Sequence, residues 1–283
     1  MFESSDIPRL FALPPGVDFP AELIAGLTGR LAGQPPDALA RVHLIVNTRR
    51  MARRLRDLFD NGPACLLPRL SLVTDLASPL QVGPAISPLR RRLELAQLIS
   101  RLLDQQPDLA PRAALYDLAD SLASLMDEMQ NEGVSADDIR KLDVTDMSGH
   151  WGRTQQFIRI VETYLSSRDA PDLQTRQRMA VEALIQSWEK SAPPGPVILA
   201  GSTGSRGTTL LLIRAIAQLP QGAVILPGFD FDQPDTVWRD MRDARVSEDH
   251  PQYRFSNITR ELDIGPGDVR PWTSAQPSAP ARN

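Results

Sequence analysis

Two rhythms of apolar residues alternate along the chain: short unbroken runs, and stripes spaced three or four positions apart. The first run, RLFAL at 9–13, stops at Pro14, Pro15 and Gly16, and FPAELIAGLTGRLAG then carries a helical period opened by Pro20. VHLIV at 42–46 reads as a continuous apolar run broken only by His43, typical of a buried parallel strand. NTRRMARRLRDLF follows it, with Met51, Leu55, Leu58 and Phe59 recurring at helical spacing. LSLVTDLA at 70–77 reads as a further short strand leading into a turn, broken off by Pro79, Pro84 and Pro88. Between 88 and 190 only stripes remain. One is Leu115, Leu118, Leu122, Leu125, Met126 and Met129, a second Trp151, Ile158, Val161 and Leu165, a third Val181, Leu184, Ile185 and Trp188. They predict consecutive helices with these side chains as core. Unbroken runs then return as VILA at 197–200 and AVIL at 223–226, on either side of the helical TTLLLIRAIAQL.

This order predicts an α/β protein with a parallel sheet into which a large all-helical block is inserted. Residues 1–87 form the first part of the α/β domain, 88–190 the helical insertion and 191–235 the return to the sheet. Residues 236–272 read as mixed helix and loop. The last stretch, TSAQPSAPARN at 273–283, has no apolar period and is expected to be a disordered tail.

Composition narrows the function classes. With 42% apolar residues over 283 positions the chain has material for a real core. A formal net charge of -4 does not advertise nucleic-acid binding, but charge is uneven: RRMARRLR at 49–56 and RRR at 90–92 concentrate basic residues in the first third. A single cysteine, Cys65, excludes an internal disulfide framework and points to a reducing, cytoplasmic setting. No stretch approaches the length of a membrane span, and the acidic N-terminus is unlike a signal peptide. His43, His150 and His250 stand singly, without metal-ligand spacing, so neither metal nor other cofactor is expected.

VILAGSTGSRGTTLLLIRAIAQL at 197–219 has the order a phosphate-binding turn needs: strand, glycine loop, helix. Counted from Gly201, the Walker pattern wants Gly-Lys at 206–207, where the chain has Arg206 and Gly207. The only lysines are Lys141 and Lys190, and neither follows a glycine. A tight strand-to-helix turn explains the glycines better than an ATP site does.

The combination of LPPGVDF, VNTRRMARRLRDLF, LADSLASLMDEMQNEGV, AGSTGSRGTT, LPQGAVILPGFD and HPQYRF resembles the AddB subunits of the AddAB helicase-nucleases, over about residues 8–272. The resemblance implies the N-terminal, helicase-like part of a longer double-strand break repair protein. Its fold would be the parallel sheet of P-loop (RecA-like) helicases without their ATP motifs. The degenerate nucleotide-loop positions would be Pro15 and Gly16 after the first strand, and Ala200 and Gly201 where a motor carries an Asp-Glu pair. The implied partners are an AddA-like helicase-nuclease subunit, DNA ends and single-stranded DNA, with no membrane; recognition of the hotspot sequence Chi belongs to the family. The nuclease motif PD-(D/E)xK is absent, since Ile139 and Trp188 stand two positions before the two lysines. No catalytic residue is therefore expected in this chain.

In helicases of this kind the loop after the second strand contacts single-stranded DNA, and Asn47, Thr48, Arg49, Arg50 and Arg53 occupy that place, with Arg54 and Arg56 close by. A solvated basic helix face is the competing explanation. Two other functions stay open at this level: a free-standing helical adaptor working through 88–190, and an unconventional nucleotide-binding protein using Arg206 in place of lysine.

Overall fold

A computed structural model of the chain describes residues 1–76, 83–135, 170–204, 207–241 and 249–277, with the isolated positions Asp138, Ile160 and Tyr164. Trp151, Ile158, Val161 and Leu165, Lys141, His150 and Arg206 lie outside the described residues, as do 278–283 of the C-terminal stretch. The chain forms two compact units, Met1–Leu76 with Glu182–Asn283, and Ala77–Val181.

In the first unit the unbroken apolar runs become strands of one all-parallel sheet. They are β1 (Leu10–Leu13), β2 (His43–Val46), β3 (Arg69–Leu72), β4 (Val197–Ala200), β5 (Gly222–Pro227) and β6 (Arg270–Pro271). Their order across the sheet is β3-β2-β4-β5-β1-β6. Every strand but the two edges is covered on both faces, which is why β1, β4 and most of β5 are buried residue after residue.

One face is capped by α1 (Phe19–Arg30) and α2 (Arg49–Asp60). Leu23, Leu27, Ala52 and Leu55 of these helices meet Phe11, Leu13, Leu44, Val46, Leu72, Ile198, Ala200 and Ile225 of the strands. Both helices begin at side-chain caps: Asp18 accepts from the Ala21 amide and Thr48 from the Met51 amide. The sheet is further covered by α6 (Gly207–Gln218), packed on β4 and β5. Two short helices, α7 (Asp235–Asp240) and α8 (Tyr253–Glu261), lie between β5 and β6 in sequence.

Edge strand β6 was not foreseen in the sequence. It is two residues long and ends in Pro271, and its reason for pairing with β1 is the next residue: Trp272 is buried on α1. There its indole Nε1 donates to the Leu23 carbonyl at 3.2 Å.

The second unit contains α3 (Pro88–Gln105) and α4 (Leu115–Glu132), packed on each other, and α5 (Leu173–Lys190) continues from it into the first. Its core joins Leu95, Ile99 and Leu103 to Leu122, Met126 and Met129. Of the stripe expected on α4, Leu125 departs: it is exposed and does not join the core. Arg91 is buried here, its Nη1 paired with Asp127 at 2.5 Å and its Nη2 donating to the Ala123 carbonyl at 3.0 Å. Among the described residues no helix is long and apolar enough to cross a membrane.

Candidate nucleic-acid interface

A parallel sheet brings all its strand exits to one edge, and ligands of open α/β sheets bind there. The register makes the edge explicit. Val46 lies level with Leu72 and Ala200, Ala200 with Ile225, and Leu13 with Pro227. Asn47, Gly201, Pro14 and Gly228 are thus the first residues beyond it, and both sets of sequence-derived positions share this edge.

The loop after β1 is poorly made for phosphate. Pro14 and Pro15 have no amide N–H to donate, and the start of α1 already holds a carboxylate. Asp18 Oδ1 accepts from the Ala21 amide at 3.4 Å, while Oδ2 pairs with Arg54 Nη2 at 3.3 Å. Gly16 and Gly201 both take left-handed φ, 81° and 76°. Phe19 lies against Gly201, 3.4 Å from where a Cβ would stand. In the loop after β4, Ser202 is buried and its hydroxyl accepts from the Gly204 amide at 3.3 Å. Gly204 itself has Thr209 at 2.6 Å from a Cβ position, a close approach that requires glycine. The turn is therefore glycine-rich for packing. Among the described residues no group of three or more His, Cys, Asp or Glu side chains could hold a metal ion.

The loop after β2 is different. Asn47, Thr48, Arg49, Arg50 and Arg53 are all exposed. Thr48 Oγ1 is used as acceptor by the Met51 amide at 3.2 Å, which leaves its proton to donate. Arg54 is engaged with Asp18, whereas Arg49, Arg50, Arg53 and Arg56 form no ion pair with a described residue. Arg49, Arg53 and Arg56 line a groove of about 540 Å³ together with Leu70, Leu72, Asp57, Asp60 and Asp75.

The charge order along α2 runs against the helix. Arg49 and Arg50 sit in its first turn, where the macrodipole is already positive, and Asp57 and Asp60 in its last, where it is negative. Each such placement costs about 0.3–1 kcal/mol. An anion at the start of α2 would reverse that cost for the arginines.

Two residues of this edge escaped the sequence reading. Phe231, in the loop after β5, is exposed, and Arg254 of α8 reaches the loop after β4, 3.5 Å from Thr203 Oγ1. Nothing in the spacing of GFDFD tells the buried Phe229 from the exposed Phe231.

His43, at the opposite end of β2, is a structural histidine. Its Nε2 lies 2.9 Å from Ser71 Oγ, and burial, helped by the neighbouring Arg69, holds its pKa down to about 4. No protein-family model matches the chain, and no curated protein matches it.

Proposed function

We propose that this chain is a catalytically silent module that binds single-stranded DNA and an AddA-like motor subunit during cytoplasmic processing of double-strand breaks. It would be the helicase-like part of an AddB-type protein, with a RecA-like sheet stripped of its ATP motifs and a helical insertion between β3 and β4. The all-parallel sheet is compatible with that fold. On this reading Pro15 and Gly16, and Ala200 and Gly201, occupy the places of a motor's nucleotide loops, and the prolines after β1, the Asp18 carboxylate and Phe19 all speak against ATP there.

The observation that carries the reading is the inverted charge order of α2. Placing Arg49 and Arg50 at the N-terminus of a helix is unfavourable for folding, and it makes physical sense where phosphates come to that end.

Fluorescence anisotropy with a labelled oligothymidylate, across a salt series, tests this. Four phosphate-neutralising arginines predict a slope of log K against log salt of about -3. Replacing Arg49, Arg50 and Arg53 by alanine reduces the slope by about 2. Calorimetry with ATP and magnesium is expected to show no heat of binding. Saturable ATP binding without DNA binding would overturn the reading.

A further inference from the structure

An arginine taken out of water is ordinarily paired with a carboxylate, and three arginines at the outer edge of the sheet are not. Arg9 precedes β1, Arg30 ends α1 and Arg270 opens β6. Arg9 is buried, only 4% exposed; its Nη1 donates to the Leu219 carbonyl at 3.0 Å and its Nη2 to the Glu3 carbonyl. Arg30 is half-buried, and its Nη1 is shared between the Gly26 carbonyl at 3.1 Å and the Trp272 carbonyl at 2.7 Å. Arg270 is exposed, and its side chain makes no hydrogen bond with a described residue. None of the three forms an ion pair with a described residue, in a chain that carries 35 acidic residues against 31 basic ones.

The cations stand close together over aromatic rings. The guanidinium carbons of Arg30 and Arg270 lie 5.0 Å and 4.9 Å from the centre of the Phe11 ring. They are therefore within about 10 Å of one another, no more than a Debye length at moderate salt. Phe2 is stacked on Phe11 at 6.0 Å and carries Arg9, whose guanidinium carbon is 5.7 Å from its centre. Burial first, and then the charge of Arg270, hold the pKa of Arg9 and of Arg30 below the ordinary arginine value. Like charges gathered over an apolar floor repel one another without relief. An anion placed among them offsets that repulsion, and does so where solvent screens little.

From this we infer that Arg9, Arg30 and Arg270 form a docking site for an acidic segment of a partner protein, whose carboxylates contact Arg30 and Arg270 while the buried Arg9 adds its field. The inference goes beyond the DNA-binding reading and does not rest on it. Arg30 keeps Nε and Nη2 free of described partners and Arg270 its whole fork, the geometry that takes a carboxylate through two bonds. The exposed Glu3 and Asp6 precede Arg9 in the chain, and the exposed Asp268 precedes Arg270. A polyanion with a charge at every nucleotide would run onto these carboxylates, whereas single acidic residues set between apolar ones need not. Pro271 leaves the outer side of β6 without an amide to donate, so the partner is held by its side chains rather than as an added strand.

The test is anisotropy with the full chain and a labelled peptide alternating glutamate and leucine, beside its glutamine counterpart, a labelled oligothymidylate, and inorganic phosphate as competitor. The wild type is expected to bind the glutamate peptide and not the glutamine one. Arg270→Ala weakens the glutamate peptide by about tenfold or more, and Arg270→Lys by less. Oligothymidylate affinity is expected to be the same in Arg270→Ala as in the wild type. The glutamate peptide raises the melting temperature of the wild type and leaves that of Arg270→Ala where it was. Matching circular dichroism of variants and wild type shows that the fold is intact. No binding of the glutamate peptide, or equal binding by Arg270→Ala, overturns the inference. It is overturned equally if Arg270→Ala loses oligothymidylate and keeps the peptide, which makes the cluster a contact for nucleic-acid phosphates. Displacement of the peptide by sub-millimolar phosphate overturns it as well, in favour of a site for small anions.

Discussion

Replacing Gly26 by alanine exchanges a poor helix residue for the best one, and on an exposed surface this would stabilise α1 by about 1 kcal/mol. In this molecule the sign reverses. An alanine Cβ at position 26 would stand 2.1 Å from Trp272 Nε1 and 2.6 Å from Cδ1 and Cε2. Ordinary contact needs about 3.5 Å or more, so the indole would have to retreat by roughly 1.5 Å. It has nowhere to go. Nε1 is bonded to the Leu23 carbonyl, and the ring meets Phe11 edge-on at 5.3 Å. The Arg30 guanidinium lies 3.7 Å above it, with Arg30 Nη1 bonded to the Trp272 carbonyl at 2.7 Å. The Trp272 amide donates to the Ala12 carbonyl at 2.9 Å.

Expulsion of a buried tryptophan costs about 3–5 kcal/mol, which after the helix-propensity gain leaves a net loss of about 2–4 kcal/mol for Gly26→Ala. In a Trp272→Ala background the clash is gone, and the same substitution is expected to stabilise by about 0.5–1 kcal/mol. Urea unfolding of the four proteins of this cycle measures both values and their coupling. A neutral or stabilising Gly26→Ala in the wild-type background, or equal effects in both backgrounds, would refute the packing assigned to Trp272.

Three further outcomes are expected. His43 titrates near pH 4 when folded and near 6.5 when unfolded, so the unfolded chain takes up the proton first: stability is complete above about pH 7 and declines as the pH falls towards 4. Between pH 7.5 and 5 about 1 kcal/mol is lost in urea unfolding, the partly exposed imidazole being screened by solvent, and His43→Gln flattens this part of the profile. Asp263 has φ 55° just past α8, where the Ile264 amide bonds back to the Thr259 carbonyl at 3.0 Å; Asp263→Gly is expected to raise the melting temperature, by about 1 kcal/mol of stability. Thr48→Ala removes the cap of α2 and costs about 1 kcal/mol in urea unfolding, and Thr48→Asp restores the stability while weakening single-stranded DNA binding in anisotropy.

The strands legible in the sequence are those whose burial leaves only one kind of residue. β4 and β5 are apolar runs because both faces are covered, and β2 is one after its first residue, His43. β6 was illegible because its pairing depends on Trp272 finding Gly26 across 246 positions of chain, from residue 26 to 272, which no local window contains. The helical stripe of α4 was readable through Leu122, Met126 and Met129, but Leu125 fits the same spacing and is exposed at the margin of the stripe. For the candidate interface, the arginine cluster and its place after β2 were visible in NTRRMARRLR. That Arg54 is taken by Asp18, 36 positions earlier, was not. Phe231 was hidden for the same reason: exposure is decided by Phe229, Trp238 and Gln252 together, not by GFDFD.

The most direct test of the central claim is the double charge reversal Arg49→Glu, Arg50→Glu, measured for stability and for single-stranded DNA affinity on the same protein. With acidic residues in the first turn of α2 the charge order agrees with the helix dipole. The account predicts a gain of about 0.5–2 kcal/mol in urea unfolding together with a loss of at least about tenfold in affinity for oligothymidylate. Undiminished affinity, or a loss of stability alongside the loss of affinity, would contradict it, because the arginines would then serve the fold rather than the strand.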